Sequence, residues 1–482
     1  MKDDNSYRSI LKGTSLFGGV QVFQVLVSLV RGKLVAMLLG PAGMGISALF
    51  TSSATTLQRF ASLGLNSAIV KETASCNDNP EEAAAVVAVA RRLITATALT
   101  GALLCMLLSP LLSRITFGND SMTLQFVLLG AAVGLTVAYN GKLSLLQGLQ
   151  EVKRISVASV LGAVAGLVVG VPLYYFFGDA GIVPAMVLLA LALYLFYAFA
   201  LSRSLKLPAV RFLWSSHKPI VKTLVVLGLL LMSNELLLSL VQYLINIFIK
   251  RFGSTDSVGL YQAANSITNQ YSGMVFAAMA MDFFPRLSKV VGDNDEMRKV
   301  VNRQSEIVAL IIAPAAGLLI LTAPWLIRIL LTEAFLPVTP LMRWMGVGVL
   351  IRALMFPMGY IAFAKGNRRI FFWMEGIFCN LLTLLYSCLF YHFFGLVGLG
   401  YALVADNATC LAVYYVVNRH LYGYRFERDT VLYYIGAILS VLIVFAISFI
   451  PSLTVSYSLM GGVVILTAVW SLAMLRRKLQ TK

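Results

Sequence analysis

The amino-acid sequence predicts an all-α integral membrane protein of about 14 transmembrane helices, with two pseudo-symmetric six-helix bundles plus two C-terminal helices around a central cavity. Three observations carry that prediction. Of 482 residues, 59% are apolar and only 12% charged, about half the charged fraction of a soluble domain. Apolar stretches of roughly 20 residues, each able to cross a hydrocarbon core of ~30 Å, recur from Thr14 to Leu475, and the mean hydropathy is +0.84. Segments of the first half also recur, in order, in the second.

Backbone in lipid must satisfy its own hydrogen bonds, so these stretches form helices; the ~10-residue alternating segments of a barrel are absent. The spans fall at 14–39, 43–66, 85–112, 121–147, 155–177, 180–203, 221–250, 257–283, 300–331, 338–364, 370–394, 396–418, 430–450 and 453–475. They group into an N-terminal six-helix bundle (1–203), a cytoplasmic linker (204–220), a second bundle (221–421), and two additional helices with a basic tail (422–482). No stretch between spans is long enough for a soluble catalytic or nucleotide-binding domain. The first apolar run is too long for the h-region of a cleavable signal.

Lys and Arg number 38 against 21 Asp and Glu, a net charge of +17. Their placement explains the excess. With the N-terminus in the cytoplasm, 28 fall on the cytoplasmic side, including Lys71, Arg91, Arg92, Lys153, Arg154, Arg286, Arg368, Arg369, Arg476 and Arg477. The opposite side has four: Arg114, Lys250, Arg251 and Arg328. The other six, Arg31, Lys33, Arg59, Lys142, Arg343 and Arg352, lie within spans. This is the positive-inside pattern. It predicts a multi-pass protein of a bacterial inner membrane with both termini cytoplasmic, and it gives the charge no nucleic-acid meaning.

Of the five cysteines, Cys105, Cys379, Cys388 and Cys410 fall inside spans and Cys76 outside, as small apolar fillers. The three histidines (His217, His392, His420) have no ligand spacing, so no metal is expected. Gly32-Lys33 and Gly141-Lys142 lack the upstream glycine of a phosphate-binding loop. No cofactor is implied.

Phe176-Phe177-Gly178-x-x-Gly181-Ile182-x-x-Ala185 recurs as Phe393-Phe394-Gly395-x-x-Gly398-Leu399-x-x-Ala402. Lys153-Arg154-Ile155 recurs as Arg368-Arg369-Ile370, and Leu39-Gly40 with Gly45-Ile46 recurs as Phe252-Gly253 with Gly259-Leu260. The matches are collinear. Spans 1–6 therefore read as duplicated in spans 7–12. Because six is even, the copies should share one orientation about an axis along the membrane normal, a transporter architecture.

Polar residues mark the faces expected to line a cavity. Gln21, Gln24, Ser28 and Arg31 step by helical intervals along span 1, as do Thr51, Thr55 and Arg59 along span 2. Span 7 carries Glu235, Ser239, Gln242 and Asn246; span 8 carries Gln262, Asn265, Asn269 and Ser272, with Asp282 near its end. Single residues of this kind commonly serve as interhelical hydrogen-bond glue. Four stripes in duplicated positions, two of them with ionisable groups, point instead to a wet path. Arg31 and Arg59 are its deep cations, suited to phosphate by their planar fork. Lys142 is a further candidate, as is Lys33, for which the alternative is snorkelling to a headgroup. Glu235, Asp282 and Asp406 are candidates for ion coupling. Arg352 and Asp406 sit mid-span, and the plainest reading is mutual neutralisation. Gly162, Gly166 and Gly170 form a doubled small-residue motif for close helix packing.

Two stretches carry a family resemblance. The order Arg31, Leu39-Gly40-Pro41, Gly45, then Arg59-Phe60-x-x-x-Gly64-Leu65, is similar to the first two helices of Wzx-type oligosaccharide flippases. Val258-Gly259-Leu260-Tyr261-Gln262-Ala263, running on to Phe284-Pro285-Arg286-Leu287-Ser288, resembles their eighth helix, especially in the branch serving O-antigen and enterobacterial common antigen. The resemblance implies the MATE-like MOP flippase superfamily, whose cavity is lined by helices 1, 2, 7 and 8. It implies an undecaprenyl-pyrophosphate oligosaccharide as substrate, moved from the cytoplasmic to the periplasmic leaflet by alternating access for O-antigen or other surface polysaccharide. It also implies membrane lipids, a polysaccharide polymerase and chain-length components as partners, and a cavity role for Arg31 and Arg59. Relatives commonly have twelve spans, so the extra pair is a departure.

Alternatives within the superfamily are a lipid II-type flippase and a multidrug or cation antiporter, which needs acidic cavity groups such as Glu235 and Asp282. A membrane-embedded polymerase or glycosyltransferase would be an enzyme, but it needs a long extracytoplasmic loop, and the longest stretch on that side is 113–120. The sequence reads as a transporter, not an enzyme.

Overall fold

The computed structural model describes residues 2–76, 79–204 and 214–480. Most of the expected 204–220 linker, with Lys206 and Arg211, lies outside the described residues. Among them, all regular structure is helical. The chain forms two compact units, Met1–Gly259 and Leu260–Lys482.

The first unit opens with α1 (Lys2–Ser62), which breaks at Gly40 with φ 63° and ψ −166°. Only glycine holds that conformation without strain, and Pro41 then starts the next segment with its φ already set. Gly64, in the left-handed region, separates α1 from α2 (Leu65–Ser75). The start of α3 (Pro80–Leu107) is capped by Asn79, whose side chain accepts from the Glu81 N–H at 3.2 Å. Glu81 and Glu82 in the first turn complement the helix dipole. After the short α4 (Ser109–Phe117) come α5 (Thr123–Gly148) and α6 (Val152–Phe177). A 3-10 turn, Gly178–Gly181, leads to α7 (Ile182–Ser204), and α8 (Trp214–Phe252) follows.

The helix α9 (Thr255–Lys289) contributes its residues from Leu260 onward to the second unit. There follow α10 (Asn294–Leu330), α11 (Thr339–Ala364) and the single turn α12 (Arg368–Phe371). A π-helical stretch, Phe372–Phe378, runs into α13 (Cys379–Tyr422), which breaks at Gly395. The chain closes with α14 (Arg428–Ile447) and α15 (Leu453–Gln480).

Nine helical segments among the described residues are long and apolar enough to cross a membrane. Three are far longer than one crossing needs: Val22–Ser62 with 41 residues, Val152–Ser204 with 53 and Arg368–Tyr422 with 55. Their glycine breaks, at Gly40, Gly178 and Gly395, all have positive φ. Large apolar side chains stand exposed in rows, as with Leu99, Leu103 and Leu107 on α3 or Val157, Leu161, Val164 and Val168 on α6. Such rows are untenable in water and natural against lipid tails. The chain is a multi-pass membrane protein.

Local geometry repeats between the units. Gly178 (φ 54°, ψ −132°) and Gly395 (φ 61°, ψ −144°) adopt the same bend. A Cβ on Gly181 would meet the Leu173 carbonyl oxygen at 2.3 Å, and one on Gly398 the Phe390 carbonyl oxygen at 2.1 Å, eight residues back in each case. The turns before α6 and α12 match bond for bond. Leu149, Gln150 and Glu151 donate to Leu145, Gln147 and Leu146 at 2.9, 3.0 and 3.0 Å; Lys365, Gly366 and Asn367 donate to Ile361, Phe363 and Ala362 at 2.9, 3.1 and 3.1 Å. The residue in the left-handed region is Gln150 (φ 57°) in one turn and Gly366 (φ 68°) in the other.

Ile69, Val89, Ala90, Leu145 and Leu146 centre one core of the first unit; Phe50, Phe126 and Leu129 centre another. In the second unit, α10 is the hub. Its Val308, Ile312 and Ala316 pack with Val441 and Val444 of α14 and Met460 of α15 in a single cluster. Buried Glu306 accepts from the Thr430 hydroxyl at 3.0 Å and pairs with Lys478. Asn302 is also buried, and its amide donates to the Arg298 and Arg425 carbonyls at 2.9 and 3.0 Å. The last two helices are thus part of the second unit's core.

Candidate functional site

In the first unit, α1 presents two polar stations. Arg31 lines a cavity of 360 Å³ together with Gln24 and Ser28 from the same helix. The opposite walls come from Tyr139 and Asn140 of α5, Ser159 of α6 and Tyr197 of α7. Ser159 and Tyr197 share a hydrogen bond of 2.7 Å, and the Tyr139 ring stacks on Tyr197 with centroids 6.0 Å apart. The motif on α6 makes the room. A Cβ on Gly162 would meet Leu193 of α7 at 2.1 Å, and one on Gly166 would meet Leu189 at 3.0 Å. The cavity thus offers a guanidinium, hydroxyls and carboxamides inside helices that are otherwise apolar, which suits an anion carrying many hydroxyl groups.

The second station lies on the α8 side. Arg59 pairs with Glu235 of α8, with side chains 44% and 53% exposed. Thr56 donates to the Ser239 carbonyl at 3.1 Å, three residues earlier on α1 and four later on α8. Glycines close this seam at both ends. A Cβ on Gly64 would lie 2.1 Å from the Gly228 carbonyl oxygen. At the other end, a Cβ on Gly45 would lie 2.0 Å from the Thr255 carbonyl oxygen, and one on Gly259 would lie 1.9 Å from that of Pro41. Gly45 and Gly259, matched in the sequence repeat, therefore meet face to face.

The remaining sequence candidates scatter. Lys33 is partly buried on α1. Lys142 does not join Arg31: it lines a different cavity with Arg91, and its ammonium lies 4.8 Å from the Tyr194 ring centroid. Asn246 is buried, accepting from Gln242 at 3.5 Å. On α9, Gln262 donates to Ser266 at 3.3 Å and Asn269 to Asn265 at 2.8 Å, so the stripe is stitched along its own helix. Asp282 pairs with Arg286, which also donates to Gln304 at 3.1 Å. Asp406 is buried and accepts from the Thr383 hydroxyl at 2.7 Å and, at 3.8 Å, from the Cys410 thiol. Its expected partner Arg352 lies over the Phe276 ring instead, 5.5 Å from the centroid. The two make no direct ion-pair contact, but the Arg352 charge still acts favourably on the Asp406 carboxylate.

Sequence spacing misses Tyr139, Asn140, Ser159 and Tyr197, because the Arg31 cavity is assembled from four helices and no single periodicity contains it. It also misses Glu375. This residue sits in the π-helical stretch, accepts from the Tyr414 hydroxyl, and lines a 410 Å³ cavity of the second unit with Arg352. Its signal is an isolated acid inside an apolar span, and π-helical turns are frequent where helices serve function.

Comparison with known proteins bears on the fold and the family. Solved structures share the fold: the lipid II flippase MurJ in an inward closed conformation has a TM-score of 0.73 at 13% identity, covering 96% of this chain and 99% of that one. An inward-facing multidrug resistance MATE family transporter of the MOP superfamily has a TM-score of 0.71 at 18% identity, covering 83% and 94%. In sequence, the chain is similar to the lipid III flippases of Escherichia coli (strain K12) and Shigella flexneri, each 24% identical over 374 residues, with 76% of this chain and 88% of the relative covered. Residues 34–340 match the profile of a family described as polysaccharide biosynthesis protein. With that match running over most of its length, the chain belongs to the polysaccharide biosynthesis protein family.

Proposed function

We propose that the protein is a flippase that carries an undecaprenyl-pyrophosphate-linked oligosaccharide from the cytoplasmic to the periplasmic leaflet of a bacterial inner membrane, by alternating access. The observation that carries this reading is Arg31 in a cavity that also presents Gln24, Ser28, Asn140, Ser159 and Tyr197 among apolar neighbours. A sugar hydroxyl left unpaired in hydrocarbon costs several kcal/mol, ~4–8 on a cyclohexane scale, so a glycan headgroup needs such a lining. The diphosphate needs cations, and Arg31 and Arg59 are the ones we assign. Arg59 rests on Glu235, so the incoming diphosphate replaces that carboxylate. Outward movement of an anion gains ~2.3 kcal/mol per charge per 100 mV from a cytoplasm-negative potential.

The relatives named lipid III flippases support a lipid-linked glycan as cargo. The antiporter reading needs free carboxylates for cationic cargo, and Glu235 and Asp282 both have arginine partners. In full, the proposal has fourteen spans with both termini cytoplasmic. The matching turns at Gln150 and Gly366 support bundles at 1–203 and 221–421 as copies of one ancestor, with 422–482 added. Polymerase and chain-length components are the proposed partners downstream.

The test is genetic. Cells producing Arg31→Ala or Arg59→Ala at the normal level should accumulate the finished prenyl-linked unit on the cytoplasmic leaflet. Arg→Lys should restore less export than retained charge alone predicts, because the bidentate fork is lost. Normal export by the double alanine variant would reduce both arginines to structural groups.

A further inference from the structure

A cavity of 670 Å³ lies apart from the Arg31 site, between α3, α5 and α7. Its register follows from the glycines of α5. A Cβ on Gly141 would meet Ile94 at 2.4 Å, one on Gly134 would meet Ala102 at 2.9 Å, and one on Gly130 would meet Met106 at 2.7 Å. The two helices are therefore antiparallel, and Arg91 and Lys142 stand at the same end of the groove between them. Along α3, Arg91, Thr95 and Leu99 form an exposed row at helical spacing, so the groove is open to its surroundings along its length. Beyond the cations its lining turns apolar, with Leu99, Ala102 and Leu135. Among the described residues that line it there is no carboxylate. By the sorting of basic residues, the cationic end belongs to the cytoplasmic face.

We propose that this groove binds an anionic phospholipid of the cytoplasmic leaflet. The phosphate sits between Arg91 and Lys142, with Tyr194 holding the ammonium in place, and one acyl chain lies along Leu99, Ala102 and Leu135. Two cations at one end of an apolar slot, with no acid to oppose them, match a lipid phosphate and its chain in both charge and shape. The site is distinct from the proposed glycan path and stands whether or not the flippase reading holds.

Purified full-length protein in detergent is titrated with phosphatidylglycerol, phosphatidylcholine and sodium phosphate, with bound lipid read by native mass spectrometry. Wild type should retain phosphatidylglycerol in preference to phosphatidylcholine, and sodium phosphate should not displace it. The double variant Arg91→Gln, Lys142→Gln should weaken phosphatidylglycerol binding by about 30-fold, the attraction expected of two cations near a membrane surface. The charge-preserving double variant Arg91→Lys, Lys142→Arg should bind within a few-fold of wild type. Leu99→Trp, which fills the slot with both charges intact, should also weaken binding and decides the matter if the glutamine variant does not fold. Unchanged phosphatidylglycerol affinity in the folded variants, equal retention of phosphatidylcholine, or displacement by free phosphate would overturn the proposal.

Discussion

Gln150 holds φ at 57°, in the turn where the second unit places Gly366. A left-handed backbone costs an L residue about 1–2 kcal/mol, and glycine nothing. Gln150→Gly should therefore stabilise the protein and Gly366→Ala should destabilise it, each by about 1 kcal/mol once glycine's larger unfolded-state entropy is counted. Calorimetry of the two variants checks the sign. At the other end of α5, outside the candidate membrane spans, Arg114 donates to both carboxylate oxygens of Asp120 at 2.7 and 2.9 Å. The hydrogen bond from the Arg114 guanidinium, aided by its charge, holds the Asp120 carboxyl below its usual range. A depressed carboxylate contributes its stabilisation above the unfolded value and loses it as pH falls through the folded one. The Asp120 carboxyl resonance should accordingly titrate at lower pH in the wild type than in Arg114→Gln. Coincident titrations would remove the pair from the account. At this scale the sequence is informative wherever a residue's role follows from its own helix. Arg31 and Arg59 stand out by helical spacing alone. Tyr197 and Asn140 do not, since they join the Arg31 cavity only once α5 and α7 lie against α1.

Helix breaks are the most legible elements. Gly40-Pro41, Gly178 and Gly395 end apolar runs of single-span length, and each proves to be a positive-φ bend. The π-helical stretch is illegible, because Phe372–Phe378 has the composition of any buried helix. Also hidden is the ion pair that links α15 to α10, between Lys478 and Glu306, 172 residues apart. Glu306 is 3% exposed, so removing its partner leaves a buried charge uncompensated, at about 3–5 kcal/mol. Lys478→Met should thus destabilise the protein strongly, while Lys478→Met with Glu306→Met should recover most of the loss, since an apolar pair of similar volume is often neutral. Chemical unfolding of the single and double variants measures this. Equal losses in both would mean that the ion pair does not hold the C-terminal helix.

On the scale of the whole molecule, composition alone points to a membrane protein, because 59% of the residues are apolar and only 12% charged, about half the charged fraction of an ordinary soluble domain. The grouping of helices is less accessible. Within the unit that ends at Gly259, α8 packs on α1 and α2. Its Glu235 and Ser239 contacts join residues 176 and 183 positions apart in the chain, which no local pattern records. The central claim is that this chain moves a lipid-linked anionic glycan between leaflets, and reconstitution tests it most directly. Purified protein is placed in liposomes containing undecaprenyl-pyrophosphate oligosaccharide, and the fraction of glycan reached by an externally added glycosidase is followed over time. The account predicts that wild-type protein exposes the protected inner pool well above the rate of protein-free liposomes, and that Arg31→Ala with Arg59→Ala returns it to the protein-free rate. An inner pool that stays protected with wild-type protein present, under an imposed membrane potential of either sign, would contradict it.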